Sequence, residues 1–523
     1  MMTAHFSKKW RSSTASLFAA SLLLGAAFIA QPAALASEQT VFMLGKAGDP
    51  DNIDPAVTVT NDSFTVIFAA YERLVQYNKG SNEIVGALAE SWKASPDARV
   101  WTFKIAKGHT FSDGTPVTPQ AIKFSFERIV KVAKGQLKSF TQIKKIEIPD
   151  ADTIQFTLEN PSATFLSLLA GSGSSVVNPK VMEHEVNGDF GQAYLADHTM
   201  GSGAYQLTSW EKGQQIVLEP NPHWKGKLAL KKIIMRIIKD SSARRLQLEK
   251  GDLDLVEDLP SDQLASLRGV SGVKVVDEPG FLVTYLYLNN THKPLDNVKV
   301  RQAISYAMDY KGIIDGVLHG EARQMRGPVP YGMWSHDETL KQYSYDPAKA
   351  KQLLGEAGIS KANLTYLYAK TDPNWETIGL VLQQTLAPLG ITLDLQENDY
   401  PTMRGRIDKG DFDIAVGNWS PDLSDPSEFV KWWYDSRYHG LSGNRAFYTN
   451  AHVDQLIRSA DVTADQTVRE KAYKEVQKIV VHDAPYVLLF QHNFQFGMRD
   501  NVKGYVYNPM LLQIYNFADM KKD

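Results

Sequence analysis

The first 36 residues combine the features of an export signal, which constrains where the rest of the chain can fold. Three basic residues and no acidic residue come first, namely Lys8, Lys9 and Arg11. A stretch of 16 apolar and small residues follows, Ala15 to Ala30, which is short for a bilayer span of about 20 residues. Ala34-Leu35-Ala36 then fits a cleavage site for signal peptidase. The sequence predicts a signal peptide over residues 1–36, cleaved after Ala36.

The absence of cysteine narrows both the compartment and the chemistry. Small exported domains often need disulfides, but the 487 residues after Ala36 can bury a large core without them. A chain without cysteine cannot carry an N-terminal lipid-modified thiol, and iron–sulfur and thiolate–zinc centres are excluded. We therefore expect a protein that is free in the periplasm of a Gram-negative cell and is not an integral membrane protein.

The charge of the chain does not favour nucleic acid or an anionic membrane as a partner. The formal charge is −3, and loss of residues 1–36 would remove three basic residues and no acidic one. The 10 tryptophans and 22 tyrosines are an unusually large aromatic content. Core packing and a large ligand cleft both explain that content, and composition leaves the choice open.

Strand-like and helix-like segments alternate through the rest of the chain, which is typical of α/β proteins. Residues 101–105 alternate apolar and polar side chains, as a half-buried strand does. Residues 119–130 have apolar side chains at helical spacing. Thr118 supplies an N-cap for this helix, and Pro119 suits its first position.

One short pattern occurs twice, 159 residues apart. Residues 243–255 read ARRLQLEKGDLDL and residues 403–414 read MRGRIDKGDFDI. Each predicts a basic helix that ends at a glycine, Gly251 or Gly410, followed directly by a strand. We interpret the pair as one helix–glycine–strand unit in each of two lobes. Ligands of open α/β sheets bind beyond the carboxyl ends of strands, which directs attention to residues 418–426 after the second copy.

Two strongly strand-like segments suggest where the chain crosses between lobes. Residues 281–288 (FLVTYLYL) and 486–490 (YVLLF) bracket about 200 residues that look like a self-contained lobe. A lobe inserted between two crossing strands is a hinge arrangement, and hinge closure around a ligand is a common motion.

Four groups of residues form a recognisable series. They are Leu88-Ala-Glu-Ser-Trp92 with Trp101-Thr-Phe-Lys-Ile105 and Phe111-Ser-Asp-Gly-Thr-Pro-Val-Thr118; Gly201-Ser-Gly-Ala-Tyr205 with Asn221-Pro-His-Trp224; Pro294-Leu-Asp-Asn297 with Val300-Arg-Gln-Ala-Ile304; and Tyr345-Asp-Pro-Ala-Lys-Ala-Lys-Gln-Leu-Leu354 with Glu356-Ala-Gly358. The series resembles the signatures of the large substrate-binding proteins of ABC transporters (family 5, cluster C), which include dipeptide, oligopeptide and nickel binders. The resemblance covers essentially all of residues 40–520.

The resemblance implies a type II periplasmic-binding-protein-like α/β fold, with two lobes of mixed sheets, a hinge and an extra inserted domain. Lobe I would comprise residues 37–57, 200–283 and 491–523, the inserted domain residues 58–199, and lobe II residues 284–490. It also implies a monomer without enzyme activity or cofactor. Such a protein encloses a small peptide-like ligand between its lobes and delivers it to an inner-membrane ABC permease.

Asp422 is the first candidate for ligand contact. In dipeptide and oligopeptide binders of the family, an aspartate after a strand–Trp turn holds the α-ammonium group of the ligand, and residues 418–422 (NWSPD) resemble that pattern. A carboxylate in a dry cleft meets an ammonium group through a charge-assisted hydrogen bond. Ligands without such a group would be rejected, because the buried charge would lack a partner. The alternative is a solvated loop residue or a turn former before Pro426.

Further candidates come from both sides of the predicted cleft. They are Asn418, Trp419, Tyr400, Trp375 and Asn444 in the second lobe, and Thr60, Asn61, Ser172 and Ser174 on the other side. Tyr400 falls where dipeptide-binding relatives carry an aromatic residue in the pocket. Flat aromatic rings can line side-chain pockets and stack on cations. Core packing is the alternative for the aromatic residues, and an ordinary turn for the polar ones.

One departure from the family concerns the ligand's carboxylate. Dipeptide binders hold it with an arginine just before the segment that contains Pro373, where this chain has Ala369 and Lys370. Lys370 is a candidate for that role, although lysine does not replace arginine at a bidentate site. Strict dipeptide specificity is therefore in doubt, and longer peptides or ammonium-bearing conjugates such as opines are favoured.

Catalytic and nucleotide-binding motifs are missing from the sequence. There is no H-E-x-x-H, G-x-S-x-G, P-loop or G-x-G-x-x-G, and the 12 histidines lack metal-ligand spacing. Two alternatives to a peptide binder stay open. The same scaffold could bind an opine, a metal complex of nickel or haem, or an oligosaccharide, and the chain could be an exported hydrolase.

Overall fold

Strands and helices alternate along a chain of which the computed structural model describes residues 40–133, 135–372 and 374–523. The predicted signal peptide and its cleavage site lie outside the described residues. In chain order, the strands are β1 (Val41–Lys46), β2 (Val75–Tyr77), β3 (Ile84–Gly86), β4 (Ala89–Ala94), β5 (Val100–Ile105), β6 (Ile143–Asp150), β7 (Thr153–Leu158), β8 (Tyr205–Glu211), β9 (Gln215–Pro220), β10 (Lys232–Ile237), β11 (Leu255–Val256), β12 (Val273–Leu288), β13 (Ala322–Gln324), β14 (Ala362–Ala369), β15 (Ile391–Asn398), β16 (Ile414–Trp419), β17 (Tyr486–Arg499), β18 (Val502–Lys503) and β19 (Lys521–Lys522).

The helices connect these strands and cover the sheets. The α-helices are α1 (Asn61–Ala70), α2 (Pro119–Val132), α3 (Phe165–Leu168), α4 (Gln192–Leu195), α5 (Ser241–Lys250), α6 (Ser261–Leu267), α7 (Val298–Ala307), α8 (Tyr310–Gly316), α9 (Pro347–Glu356), α10 (Asn374–Leu386), α11 (Tyr400–Lys409), α12 (Ser427–Tyr434), α13 (Ala451–Asp461) and α14 (Gln466–Asp483). Short 3-10 helices cover Gly135–Gln142, Ser172–Ser174, Pro179–His184, Ala387–Leu389, Ser436–Tyr438 and Gly440–Ser442.

The largest sheet is mixed, which confirms the predicted α/β class. Its order is β15-β14-β16-β12-β17-β11-β1-β10-β9-β8, and β13 pairs with β17. Strand β14 runs parallel to β15 and β16 at one end, and β1 runs parallel to β10 and β11 at the other. The strands between these two groups, β16, β12, β17 and β11, pair antiparallel. Parallel strands thus form two groups, β15-β14-β16 at one end and β11-β1-β10 towards the other, where β9 and β8 continue the sheet with antiparallel pairing. Parallel neighbours need crossover connections.

Strands β12 and β17 join the two ends of the sheet. They pair antiparallel from Val273–Arg499 to Tyr287–Tyr486, with a register shift between Pro279 and Val283. The predicted strands over residues 281–288 and 486–490 are confirmed as parts of these longer strands. The division of the chain into lobes and an inserted domain stays a prediction.

A second, four-stranded sheet has the order β4-β5-β7-β6. Helix α2 packs on it, with the ring of Phe126 4.8 Å from that of Phe156 in an edge-to-face contact. The side-chain oxygen of Thr118 accepts a hydrogen bond from the backbone N–H of Ala121 at 3.3 Å, and Pro119 begins the helix. The predicted strand over residues 101–105 and the predicted cap and helix are confirmed.

The repeated helix–glycine–strand unit is present in both copies. Gly251 and Gly410 end α5 and α11 in the left-handed conformation, with φ of 88° and 72°. The following strands begin two residues later than the pattern predicts. The reason is the same in both copies, because Asp254 and Asp413 accept the backbone N–H of Met43 and Thr365 with their side chains, at 2.8 and 2.9 Å. These carboxylates fill the place of a strand hydrogen bond.

Candidate functional site

The candidate site lies where three parallel strands of the large sheet end. Strand β14 leads into α10, β15 leads into α11, and β16 ends at Trp419. Their carboxyl ends therefore meet at one edge of the sheet, which is the position at which α/β folds bind ligands. This edge is the one that the second copy of the repeated unit predicts.

A cleft of about 480 Å³ opens at this edge. It is lined by Thr371, Asp372, Trp375, Tyr400 and Asn418. Three of the predicted ligand residues are thus brought together from the starts of two helices and the end of a strand, namely Trp375 on α10, Tyr400 on α11 and Asn418 on β16. Thr371 and Asp372 were not predicted, although they directly follow Lys370.

The two aromatic rings of the cleft differ in exposure. Trp375 is buried, whereas Tyr400 is 41% exposed, and their ring centres lie 6.4 Å apart with an angle of 37° between the planes. The indole Nε1 of Trp375 is buried and has no hydrogen-bond partner among the residues described. A buried N–H without an acceptor carries a desolvation cost that a ligand oxygen could offset. The pair can therefore hold both apolar and polar parts of a ligand.

Trp419 follows Asn418 on β16 and is half-buried. The guanidinium of Arg445 lies over its ring, 5.2 Å from the ring centre, and this cation–π contact stabilises the position of the indole. The Nε1 of Trp419 is a second buried indole donor for which the described part of the chain offers no acceptor. Packing and ligand contact are both compatible with this position.

The loop after β16 carries an acidic pair. Asp422 is exposed, and its backbone N–H donates to Glu428 Oε2 at 3.1 Å. The other oxygen of Glu428 accepts the indole N–H of Trp432 at 3.2 Å. Burial, and then the charge of Asp422, raise the pKa of Glu428 to about 8. A positive group that approached this loop would meet the carboxylate of Asp422 and favour ionisation of Glu428.

Asp425 anchors the same loop to α14. Its two carboxylate oxygens accept hydrogen bonds from Arg469 at 2.9 and 2.7 Å, and both side chains are buried. Arg469 also donates to the hydroxyl of Tyr473 at 3.0 Å. A bidentate pair of this kind restricts the geometry of the loop that presents Asp422.

Lys370, the candidate for a carboxylate anchor, is a surface residue. Its side chain is 67% exposed, and its Nζ lies 2.7 Å from Glu397 Oε2, a contact that raises the pKa of Lys370. Lys370 directly precedes the cleft residue Thr371. Its charge is already paired with that of Glu397.

Asn444 is completely buried and serves the fold. Its Nδ2 donates to the carbonyl of Tyr448 at 2.8 Å, and its Oδ1 accepts the N–H of Tyr448 at 3.1 Å. Both ends of the amide are therefore occupied by one backbone segment. The structure gives no support for a ligand contact at Asn444, because a local pattern of glycine and asparagine cannot distinguish a turn clamp from a binding residue.

The other four predicted residues do not line the cleft. The hydroxyl of Thr60 lies 2.9 Å from Asp51 Oδ1 and 2.8 Å from Ser63 Oγ, and Asn61 begins α1. These residues organise the start of that helix. Ser172 and Ser174 are buried in a 3-10 turn, with the hydroxyl of Ser174 donating to Leu169 O at 2.5 Å.

The sequence did not predict Glu428 and Arg469, the two residues that hold the loop of Asp422 in place. Both lie on helices, α12 and α14, where charged residues are usually solvent-facing. The sequence signal was the run of acidic residues from Asp422 to Glu428, but it does not reveal which of them is buried.

The described residues contain no group of three or more His, Cys, Asp or Glu side chains placed to hold a metal ion. Nor does any helix within the described ranges have the length and apolar character needed to cross a bilayer. Aromatic rings, an amide and an acidic loop at the end of a mixed sheet instead define the class of extracytoplasmic solute-binding proteins. The chain belongs to family 5 of the bacterial extracellular solute-binding proteins, whose profile for the middle region matches residues 83–440.

Known proteins similar to the chain support this assignment. It is 48% identical over 487 residues to the Escherichia coli K12 protein named "Probable D,D-dipeptide-binding periplasmic protein DdpA", covering 92% of this chain and 94% of that protein. Among solved structures, the periplasmic murein tripeptide-binding protein MppA in its unliganded open form has a TM-score of 0.82 at 25% identity, covering 93% and 98% of the two chains. The peptide complex of DppA from Helicobacter pylori has a TM-score of 0.71 at 28% identity, covering 93% and 99%. The predicted family and fold are confirmed.

Proposed function

We propose that this chain is the periplasmic substrate-binding component of an ABC transporter and that it captures short peptides, D,D-dipeptides above all. It would act as a monomer without cofactor or enzyme activity and would deliver its ligand to an inner-membrane permease. The 48% identity to a protein named for D,D-dipeptide binding supports this ligand class. Haem, nickel complexes, opines and oligosaccharides are the competing ligands that a test has to include.

The main support for the proposal is that the acidic loop of Asp422 directly follows the strand that ends at the cleft. Trp375, Tyr400 and Asn418 line a space of about 480 Å³, which is in the range that small-molecule ligands occupy. Asp422 follows Asn418 after four residues, and the buried Glu428 holds its backbone N–H. A peptide would place its ammonium group at the acidic loop and its side chains against the aromatic rings.

Isothermal titration calorimetry with D-alanyl-D-alanine, L-alanyl-L-alanine and N-acetyl-D-alanyl-D-alanine tests the ligand class. We expect the D,D-dipeptide to bind most tightly and the acetylated form to bind at least about 10-fold more weakly, because it lacks the ammonium group. Asp422→Asn should weaken the free dipeptide by about 10- to 100-fold and leave the acetylated form unchanged.

Asp411→Asn is a matched control, because Asp411 is a surface carboxylate that pairs with Arg406 at the other end of the repeated unit. It should bind like the wild type. Native mass spectrometry of the protein, purified without refolding, adds an unbiased measurement of the ligand it retains. Retention of haem, a nickel complex, an opine or a sugar would contradict the peptide proposal, and cleavage of the dipeptide on long incubation would show a hydrolase.

A further inference from the structure

Buried arginines are candidates for further ligand contacts, because a buried cation needs an anionic or polar partner. Within the described residues, six arginines are at least nine-tenths buried. They are Arg73, Arg128, Arg244, Arg301, Arg445 and Arg469. They differ in the number and kind of their hydrogen-bond partners.

Two of the six pair with carboxylates. Arg128 donates to both oxygens of Asp54, and Arg469 donates to both oxygens of Asp425. Such bidentate pairs compensate for the loss of hydration of the guanidinium group. These two cations therefore already have an anionic partner within the protein.

Three others use neutral acceptors. Arg244 donates to backbone carbonyls of residues 238, 239, 257 and 258, at 2.5 to 3.2 Å. Arg301 donates to three carbonyls at 2.8 to 3.2 Å. Arg445 meets the hydroxyls of Tyr285 and Tyr287 at 3.4 and 3.0 Å and lies over the ring of Trp419.

Arg73 has fewer hydrogen bonds than the other five. Its one hydrogen bond is from Nη1 to the carbonyl of Tyr71, at 3.3 Å. Its buried Nε has no partner within the described chain, which is also true of the Nε of Arg445 and of Arg469. The ring of Phe68 lies under the guanidinium, 4.0 Å from ring centre to Cζ. Burial lowers the pKa of Arg73 to about 10, so the group is still charged at neutral pH. Most of its five N–H donors are left for a partner that is not part of the described chain.

Arg73 lies beside the loop that carries Asp422. Burial raises the pKa of the Tyr77 hydroxyl, and the neighbouring backbone N–H of Ser424 and guanidinium of Arg73 partly offset that rise. Tyr77 therefore interacts both with Arg73 and with Ser424 in the loop of Asp422. On the chain segment of Arg73 itself, the carbonyl of Glu72 accepts the N–H of Val176 at 2.9 Å, next to the 3-10 turn over residues 172–174.

The acidic side chains around Arg73 are already engaged. Glu72 pairs with His109 Nδ1 at 3.0 Å, and Asp425 pairs with Arg469. Glu428, which also interacts with Tyr77, accepts hydrogen bonds from the backbone N–H of Asp422 and from the indole N–H of Trp432 on α12. The charge of Glu72 stabilises that of Arg73, but no carboxylate of the described chain accepts a hydrogen bond from the Arg73 guanidinium.

We infer that Arg73 binds the carboxylate of the ligand, so that a zwitterionic peptide would be held between this arginine and the acidic loop of Asp422. This inference rests on the proposed function, since it assigns the second charged end of the same ligand. It also supplies the arginine that the region of Ala369 and Lys370 lacks. The carboxylate partner then comes from residues 58–199, a part of the chain distant in sequence from Asp422.

The test compares D-alanyl-D-alanine with its C-terminal amide, which keeps the ammonium group and loses the carboxylate. Wild-type protein should bind the acid about 10- to 100-fold more tightly than the amide, as expected for a charge-assisted hydrogen-bonded pair. Arg73→Gln should bind the acid about as weakly as the amide and bind the amide as the wild type does. Arg73→Lys should retain part of the preference, because a lysine supplies the charge without the bidentate fork.

Arg99→Gln, a change of an exposed arginine in the same part of the chain, is the control and should keep the full preference. Two results would overturn the inference while leaving the proposed function intact. The first is equal binding of acid and amide by the wild type, a measurement that does not depend on the folding of any variant. The second is a preference that survives in Arg73→Gln and disappears in Lys370→Gln. Binding of neither ligand by the wild type would instead contradict the proposed function.

Discussion

Asp425 accepts two parallel hydrogen bonds from Arg469, at 2.9 and 2.7 Å, three residues after Asp422. Both side chains are buried, so this pair sets the position of the loop from inside the protein. The acidic loop of the candidate site is therefore held by an interaction between β16–α12 and α14. Its stability and the affinity for ligand should change together when the pair is broken.

Arg469→Met should lower the free energy of unfolding by about 3 kcal/mol or more, because it leaves the buried Asp425 carboxylate without its cationic partner. The double variant Arg469→Met/Asp425→Asn should recover part of this loss. Denaturant melts followed by circular dichroism measure both, with dipeptide affinity measured in parallel. Lys370→Met, which breaks the surface pair with Glu397, is the control and should change stability by less than about 1 kcal/mol. A larger loss in the double variant than in Arg469→Met would contradict this account.

Glu428 should make stability depend on pH in an unusual direction for a carboxyl group. Burial and the charge of Asp422 raise its pKa to about 8 from an ordinary value of 4.5. Between these values the folded protein keeps a proton that the unfolded chain loses, so this contribution to stability is full below pH 4.5 and is lost as the pH rises to 8.

Glu428→Gln removes that titration and keeps a neutral side chain of the same shape. The difference in the free energy of unfolding between the variant and the wild type should shift by about 1 to 3 kcal/mol in favour of the variant as the pH rises from 5 to 9. Thermal melts at both pH values measure this change, with Glu397→Gln as a surface control that should not show it. A difference between variant and wild type that is the same at both pH values would show that Glu428 titrates normally.

The two glycines of the repeated unit offer a matched pair. Both are left-handed, so alanine at either position costs about 1 kcal/mol of backbone strain. A Cβ at Gly251 would meet open space, whereas a Cβ at Gly410 would lie 3.2 Å from the ring of Phe447. Gly410→Ala should therefore lower the thermal midpoint more than Gly251→Ala. Equal effects would mean that the ring of Phe447 moves aside without cost.

The repeated unit also shows which structural features could be predicted from local sequence and which could not. Glycine after a basic helix predicted both left-handed helix ends, since few other residues adopt that conformation easily. The aspartates directly before each strand, Asp254 and Asp413, were not interpreted, although they explain why both strands start late. Their partners, Met43 and Thr365, lie 211 and 48 residues away, so no local pattern reveals the contact.

The candidate site was predictable only in part, for the same reason. Trp375 was predicted from its segment between a strand and a helix, and Tyr400 and Asn418 from the resemblance to dipeptide binders. The carboxyl ends of the strands bring all three to one edge of the sheet. Asn444 sits in an equally suggestive turn, yet its amide is used by the backbone of Tyr448. Arg73 was missed, because an arginine that lacks a partner looks the same in sequence as one that has a partner.

The crossing strands lead to a prediction about ligand-driven closure. The chain resembles an unliganded open relative (TM-score 0.82) more closely than a peptide-bound one (0.71). Gln491 on β17 lies at the register shift of β12, where its Nε2 donates to the carbonyls of Gly280 and Tyr331, at 2.6 and 3.0 Å, and its Oε1 accepts the N–H of Tyr331 at 2.9 Å. One buried amide thus ties both crossing strands to a neighbouring loop.

Small-angle X-ray scattering should show a smaller radius of gyration for the wild type with saturating D-alanyl-D-alanine than without it, as closure of a hinge requires. Gln491→Ala removes three hydrogen bonds and should loosen this point, at a cost of about 1 to 3 kcal/mol in stability. Its ligand-free form should have a larger radius of gyration than the wild type, and its dipeptide affinity should fall. Gln352→Ala, on the exposed surface of α9, should leave all three quantities unchanged. Identical scattering of free and ligand-saturated wild type would show that binding occurs without closure, and the buried amide of Gln491 would then be a clamp for the fold alone.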